Sequence, residues 1–359
     1  MSAPGAALGQ DARVLVVRMG ALGDIVHALP LLAALRASRP DVSVDWLVDA
    51  RYAGVLALVE GLRRRVVVRA ARASRAPGEV CFAGAAGMAS AVTDMRSQGY
   101  EAAIDLQGLI KSAAFARFSG ARRVVGFVRS QLREPAAGWL YLERVTGPAR
   151  GHVVEKNLAV LPALGVPSAG IVFPWRQVAS DVTAAVLAGK GVARAGGFAL
   201  VNPGAAWENK RWPPARFGAL AALMGDRLGL PSVVTWGPGE RVRADEVVAG
   251  SRGHAEASPP TALHDLLALA RQARLVVSGD TGPLHLAASV GAPIVGLFGP
   301  TRPERNGPWC ADDVSVSRAA TCVCFHKRQC LRGHACIEDI DVEEVYAACA
   351  RRLQERATS

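Results

Sequence analysis

Residues 13–27, RVLVVRMGALGDIVH, decide how the rest of the chain is read. Arg13 to Val17 is a near-continuous aliphatic run, as expected of a strand buried on both faces of a parallel sheet. Gly20 and Gly23 then bend the chain, and Ile25, Leu29, Leu32 and Leu35 recur at helical spacing. The pattern is strand, tight loop, helix, with Asp24 expected at or beside the helix N-cap. Open α/β sheets bind ligands beyond the carboxyl ends of their strands, which is where this acid falls. The plainer reading makes Asp24 a cap only, a role Asp fills well.

The same rhythm repeats outward. Strands are expected at 42–48, 65–68, 102–106 and 122–127, with a helix over 83–98 and an irregular stretch over 130–150. Residues 165–174, with two prolines and two glycines, read as a linker. Strands are expected again at 198–201, 232–236, 274–278 and 293–298, alternating with helices. At 359 residues the chain exceeds one ordinary core. The expectation is therefore an α/β fold of two domains, 12–165 and 175–340, with a C-terminal helix over 341–357 and a ligand cleft between the two sets of strand ends.

Composition is globular, with 50% hydrophobic and 20% charged residues. No apolar run reaches the roughly 18 residues a membrane helix needs. The first ten residues, MSAPGAALGQ, lack a cationic segment and an apolar core, so a cytoplasmic protein is expected. Residues 1–150 carry 20 Lys and Arg against 12 Asp and Glu, net +8, while the remainder carries 22 against 19, net +3. Arg63, Arg64, Arg65, Arg69, Arg72 and Arg75 form the densest cluster, expected either to be a solvated surface or to meet an anionic partner such as lipid, with salt-sensitive attachment. No aromatic-interleaved basic motif of the nucleic-acid kind occurs, so no nucleic acid is expected.

Three further stretches carry chemistry. AIDLQGLIKS places Asp105, Gln107 and Gly108 at a strand end with Lys111 on the following helix. NPGAAWENKRWP sets Lys210, one of only five lysines, in a glycine-bearing loop. In GDTGPLH, Asp280 to Gly282 form a turn ahead of a helix opened by Pro283, with His285 one turn in. Such a turn suits a diphosphate, yet it lacks the spacing of a dinucleotide fingerprint or a P-loop. Asp280 as a cap and His285 as a core histidine are the plainer alternatives. Cys322, Cys324, Cys330 and Cys336, with His326 and His334 among them, do not follow the paired C-x2-C zinc pattern; reduced thiols packing a loop are expected, with a structural zinc as the alternative and no catalytic metal.

Taken together and in order, MGALGDIVH, DLQGLIKS, NPGAAWENKRWP, WGPGE and SGDTGPLHLAA resemble the ADP-heptose:lipopolysaccharide heptosyltransferases of glycosyltransferase family 9, over about residues 13–345. The resemblance implies a GT-B fold of two facing Rossmann-like domains, an anionic glycolipid acceptor (Kdo-lipid A or the heptosylated inner core) held by the first and ADP-heptose by the second. It also implies inversion with no cofactor or required metal, and work at the cytoplasmic leaflet of the inner membrane. By this resemblance Asp24 is the catalytic acid of the first loop and Lys210 the lysine at the phosphates. Asp280, Thr281, Gly282 and His285 meet the diphosphate and heptose, and Glu240 meets the nucleoside. Gln107, Lys111 and Arg133 fall at acceptor positions. Ala205 and Ala206 stand where well-known members carry phosphate-binding hydroxyls, leaving only backbone N–H groups there. The cysteine tail looks like type II and Arg133–Pro135 like type I. The rival readings are another GT-B sugar-nucleotide enzyme and a non-catalytic nucleotide-sugar-binding protein.

Overall fold

The computed structural model describes residues 7–69, 79–167, 170–325, 327–330 and 332–357. The chain divides into two compact units, Met1–Arg176 and Gln177–Ser359.

The first unit is built on a parallel sheet of β1 (Arg13–Val17), β2 (Ser43–Asp49), β3 (Leu62–Arg69), β4 (Glu79–Ala83), β5 (Ala102–Asp105), β6 (Arg123–Phe127) and β7 (Glu143–Val145). Their order is β4-β3-β2-β1-β5-β6-β7, with Val17 paired to Asp105. The chain winds outward in one direction from β1 and in the other from β5. The carboxyl ends of these two neighbours are thus the switch point at which doubly wound sheets bind ligands. Leu15, Val17, Val66 and Ala103 pack with Ala91 and Met95 of helix Gly84–Ser97 and with Ala113 and Ala116 of helix Ile110–Phe118. The aliphatic run in the sequence is the signature of this double burial.

The second unit repeats the plan with β8 (Ala199–Asn202), β9 (Ser232–Val234), β10 (Ala255–Ala257), β11 (Leu275–Gly279), β12 (Ile294–Phe298) and β13 (Val314–Ser317) in the parallel order β10-β9-β8-β11-β12-β13. Here β8 and β11 form the switch point, with Asn202 paired to Ser278. The closing helix Val342–Ala357 is part of this unit's core: Val345, Ala348 and Cys349 pack with Phe217, Leu220 and Met224.

Several expectations are corrected. The outer strands β4, β7, β10 and β13 were not anticipated from the sequence, because EVCFA, ERV, AEA and VSVS are too short or too mixed to resemble a doubly buried run. The linker ends later than its composition suggests. Glu60 N–H donates to the Pro174 carbonyl at 2.8 Å and Arg176 N–H to that of Leu58 at 2.8 Å, so the chain stays tied to the first unit through Arg176.

The arginine cluster is not a free basic face. Arg63 grips Asp45 with two hydrogen bonds, 2.8 and 2.5 Å, and Arg64 pairs with Asp94 at 2.6 Å. Arg65 and Arg69 lie on the same strand, and Arg72 and Arg75 fall outside the described residues. The reason is strand register, which sets β3 beside β2 and its acid Asp45. Asp45 is fully buried and also accepts a hydrogen bond from the Tyr100 hydroxyl at 2.5 Å. Burial and the adjacent Asp45 charge push the Tyr100 phenol well up. Arg63→Glu should therefore lower the unfolding free energy by about 3–5 kcal/mol, because it strips a buried carboxylate of its partner and opposes it with a second. An unchanged urea midpoint would contradict this reading.

Candidate active site

The first group of candidate residues gathers at the β1–β5 switch point. After β1, Arg18 is buried and reaches in two directions: one guanidinium nitrogen donates to the Leu106 carbonyl beyond β5, and another pairs with Asp24 at 2.8 Å. Met19 N–H donates to Gln107 Oε1 at 2.7 Å, so Gln107 binds the two loops together through its own side chain. Asp24 is not the N-cap. The helix starts three residues earlier than expected, spanning Leu22–Val26 with Ala21 at the cap, and Asp24 Oδ2 accepts the Ala21 N–H at 3.2 Å from within the first turn. The carboxylate thereby caps the helix from the inside and keeps 37% of its side chain exposed, enough to meet a substrate hydroxyl.

Beneath these loops lies Asp105, which sequence reading noted without assigning a task. It accepts hydrogen bonds from Gln107 N–H (2.8 Å), Gly108 N–H (3.4 Å), the Ser112 hydroxyl (2.8 Å) and the Tyr141 hydroxyl (2.7 Å). Burial pushes its carboxyl up in spite of these donors. Asp105 is thus an anchor for the Gln107 loop. The Arg133–Pro135 segment sits on the same loop, since Glu134 N–H donates to the Gly108 carbonyl at 3.1 Å and its Oε2 accepts the Ile110 N–H at 2.7 Å. Lys111 and Arg133 are exposed and have no acidic partner within ion-pair distance among the described residues. Asp49, at the end of β2, feels the charge of Lys111. Although burial works the other way, hydrogen bonds and charge from Arg51, helped by the Lys111 charge, hold its carboxyl below the usual range.

The second group surrounds Asp280, which directly follows β11 and is almost fully buried. One carboxylate oxygen takes Lys210 Nζ at 2.5 Å and the Thr301 hydroxyl at 2.6 Å; the other faces His285 Nε2 at 3.2 Å. Burial alone would raise this carboxyl, but the His285 hydrogen bond and the Lys210 charge outweigh it and hold Asp280 far below the usual carboxylate range. Gly279 makes the approach of Lys210 feasible, because a Cβ there would stand 2.8 Å from the Lys210 carbonyl oxygen. Lys210 Nζ also lies 4.7 Å from the centre of the Trp207 ring.

Thr281 stands at the N-cap position of helix Gly282–Ser289 without a side-chain capping bond, its hydroxyl 3.2 Å from Ser278 Oγ and 3.4 Å from Asn202 Nδ2. The N-terminus of that helix presents backbone N–H groups of the kind that receive phosphate. Glu240 stands just before helix Arg241–Gly250, accepts the Gly237 N–H at 3.1 Å, and packs so tightly on Gly204 that no Cβ would fit. Ala205 is buried with its carbonyl bound to Arg211 Nε at 2.7 Å, whereas Ala206 is exposed. Thr301, Asn202 and Ser278 were missed as site residues. Only the position of the first, three residues beyond a strand ending at Phe298, offered a signal.

The cysteine loop packs beneath the Lys210 turn, where Asn209 Nδ2 donates to the Lys327 carbonyl at 2.8 Å. Cys322, Cys330 and Cys336 are free thiols; the Cys324 and Cys330 sulfurs lie 3.2 Å apart, and burial pushes the Cys336 thiol up to about 12. Among the described residues no group of three or more His, Cys, Asp or Glu is arranged to hold a metal, and His326 lies outside them.

The pattern of glycosyltransferase family 9 (heptosyltransferase) matches residues 88–335, more than half of the chain. The chain is 29% identical to lipopolysaccharide heptosyltransferase 1 of Pseudomonas aeruginosa over 323 residues, 89% of this chain and 87% of that protein. Its fold is similar to that of E. coli heptosyltransferase WaaC with ADP (TM-score 0.69, 22% identity, 96% and 98% of the two chains). It is also similar to that of E. coli ADP-heptose LPS heptosyltransferase II (TM-score 0.72, 18% identity, 96% and 99%). The two α/β units are thus a GT-B fold, and the chain belongs to glycosyltransferase family 9, the heptosyltransferases.

Proposed function

We propose that the protein transfers heptose, with inversion, from ADP-heptose to the inner core of lipopolysaccharide, with Kdo-lipid A or the heptosylated core as acceptor. The observation that carries this reading is the Lys210–Asp280–His285 cluster at the head of helix Gly282–Ser289, in a chain of family 9. A lysine held by a buried carboxylate, beside a helix N-terminus, is a receptor for a diphosphate in both ground state and departure. Lys210, Asp280, Thr281, Gly282 and His285 take the diphosphate and heptose, and Glu240 takes the nucleoside. Asp24 is the general base that deprotonates the acceptor hydroxyl as it attacks the anomeric carbon. Gln107, Lys111 and Arg133 face the acceptor's acidic sugars. The reading needs no cofactor or metal.

The protein works in the cytoplasm as a peripheral visitor to the inner membrane. No helix among the described residues is long and apolar enough to cross one. Mass spectrometry of products from a panel of nucleotide sugars and truncated lipid A acceptors tests donor and acceptor together, and NMR of the new linkage tests inversion. Heptose transfer from ADP-heptose alone is expected. Transfer of another sugar, or nucleotide-sugar binding with no transfer to any acceptor, would select one of the rival readings instead.

A further inference from the structure

The basic excess of the first half is concentrated in one stretch. Residues 110–150 hold eight Lys and Arg against two Glu, net +6, whereas residues 1–109 hold twelve against ten. In the same stretch lie four of the exposed large apolar side chains: Trp139 at 72%, Leu142 at 54%, Ile110 at 49% and Phe118 at 48% exposure. Trp139 caps a short turn, Pro135–Trp139, that is tied to the start of helix Ile110–Phe118 by the Glu134–Ile110 hydrogen bond. Its indole carries the Arg129 guanidinium 4.6 Å from the ring centre. Arg144 donates to the Gly138 carbonyl at 3.0 and 2.8 Å, which ties a second arginine to the residue before Trp139. Neither arginine meets a carboxylate within ion-pair distance among the described residues, unlike Arg63 and Arg64.

We propose that this surface, with Trp139 at its centre and Arg129 and Arg144 around it, is where the protein lies on an anionic lipid bilayer. The choice of occupant follows from charge and shape. Glu143 is committed to Arg123 and Glu134 to the Ile110 N–H, so the surface shows a nearly uniform positive sign and fits a negatively charged partner. A soluble glycan would match the arginines but gain nothing from Ile110, Leu142 or the indole. A headgroup layer over acyl chains matches both: tryptophan sits at that boundary, and arginine stems lie along apolar surface with their charge in the headgroups. The surface adjoins Lys111 and Arg133, so the inference rests on the acceptor reading of those residues for the claim that a lipid-anchored substrate is drawn there.

The test uses the full-length protein and vesicles of phosphatidylcholine, alone or mixed with phosphatidylglycerol. Binding should require the anionic lipid and weaken as salt shortens the Debye length from about 10 Å at 0.1 M. Arg129→Gln should lower the partition coefficient about fivefold, the usual worth of one arginine at such a surface, and Trp139→Ala roughly tenfold, for loss of part of the indole's apolar area. Brominated lipids should quench tryptophan emission in the wild type and much less in Trp139→Phe. Transfer to a deacylated, water-soluble acceptor should stay within about twofold of wild type in all three variants, since none of these residues belongs to the transfer machinery. Wild-type vesicle binding by both Trp139→Ala and Arg129→Gln, or equal quenching in Trp139→Phe, overturns the inference. So does an equal loss of transfer to the soluble acceptor, which would make the surface part of the glycan site. If no donor is transferred at all while Trp139→Ala still loses vesicle binding, the enzymatic reading fails and the lipid surface stands.

Discussion

Asp24→Asn is expected to lower turnover roughly 100-fold or more, the usual scale of a general base, while ADP affinity stays near wild type and the unfolding midpoint falls only as far as the lost Arg18 ion pair requires. The geometry explains why the two effects separate. Asp24 makes two contacts, the Ala21 N–H and the Arg18 guanidinium, and an asparagine carbonyl keeps the first. What is lost is the negative charge and the capacity to take a proton. Arg18, buried and shared between Asp24 and the Leu106 carbonyl, acts as a positioning residue, because it fixes the carboxylate relative to the Gln107 loop. Arg18→Lys keeps the charge but not the fork, so it should give a smaller loss of turnover than Asp24→Asn and a similar pH profile to wild type. Near-normal turnover in Asp24→Asn would return Asp24 to a structural role in the first helical turn.

The parts of the site that were legible in the sequence are those encoded within about fifteen residues. The run from Arg13 to Val17 signals its double burial directly, and GDTGPLH announces a strand end, a turn and a helix in order. Carboxyl-end loops then point to ligand sites by a general rule of α/β sheets. The contacts that complete each site are long-range and leave no local trace. Thr301 lies 21 residues from Asp280 and reaches it only because β12 follows β11 in the sheet. Arg18 meets Leu106 across 88 residues because β1 neighbours β5. The arginine cluster failed for the same reason in reverse. Read along the chain, the acid nearest Arg63 to Arg65 is Glu60, yet the pairing of β2 with β3 brings Asp45 to Arg63, and Asp94 meets Arg64 from helix Gly84–Ser97. Asp24 lies one turn inside its helix and not at the cap because Gly20 and Gly23 mask, in the sequence pattern, a short helix that starts at Leu22 and has His27 at its C-cap.

Lys210→Ala should cut turnover about 100-fold, comparable to removing a donor that stabilises a departing anion, and weaken ADP binding about tenfold, as for a charge-assisted hydrogen bond to phosphate. An ammonium group has three N–H donors. In Lys210 one meets Asp280 Oδ2 at 2.5 Å and a second points at the Asp280 carbonyl at 3.4 Å, so one remains for a phosphate oxygen. The fold should tolerate the loss better than it tolerates a change at Asp280. Without Lys210 the buried carboxylate still has Thr301 and His285; without the carboxylate, Lys210 and His285 are left facing an amide. Asp280→Asn should therefore cost about 3–5 kcal/mol of stability, more than Lys210→Ala. The pH dependence carries the sign of the depressed Asp280 pKa. A carboxyl whose pKa is lower folded than unfolded contributes its full stabilisation above the unfolded value near 4 and loses it as pH falls through the folded value. The gap in urea midpoint between wild type and Asp280→Asn should accordingly be constant above about pH 5 and shrink steadily below about pH 4. A gap that widens in acid would reverse the assignment of Asp280 as the ionised centre, and unchanged donor affinity together with unchanged rate in Lys210→Ala would remove that lysine from the site.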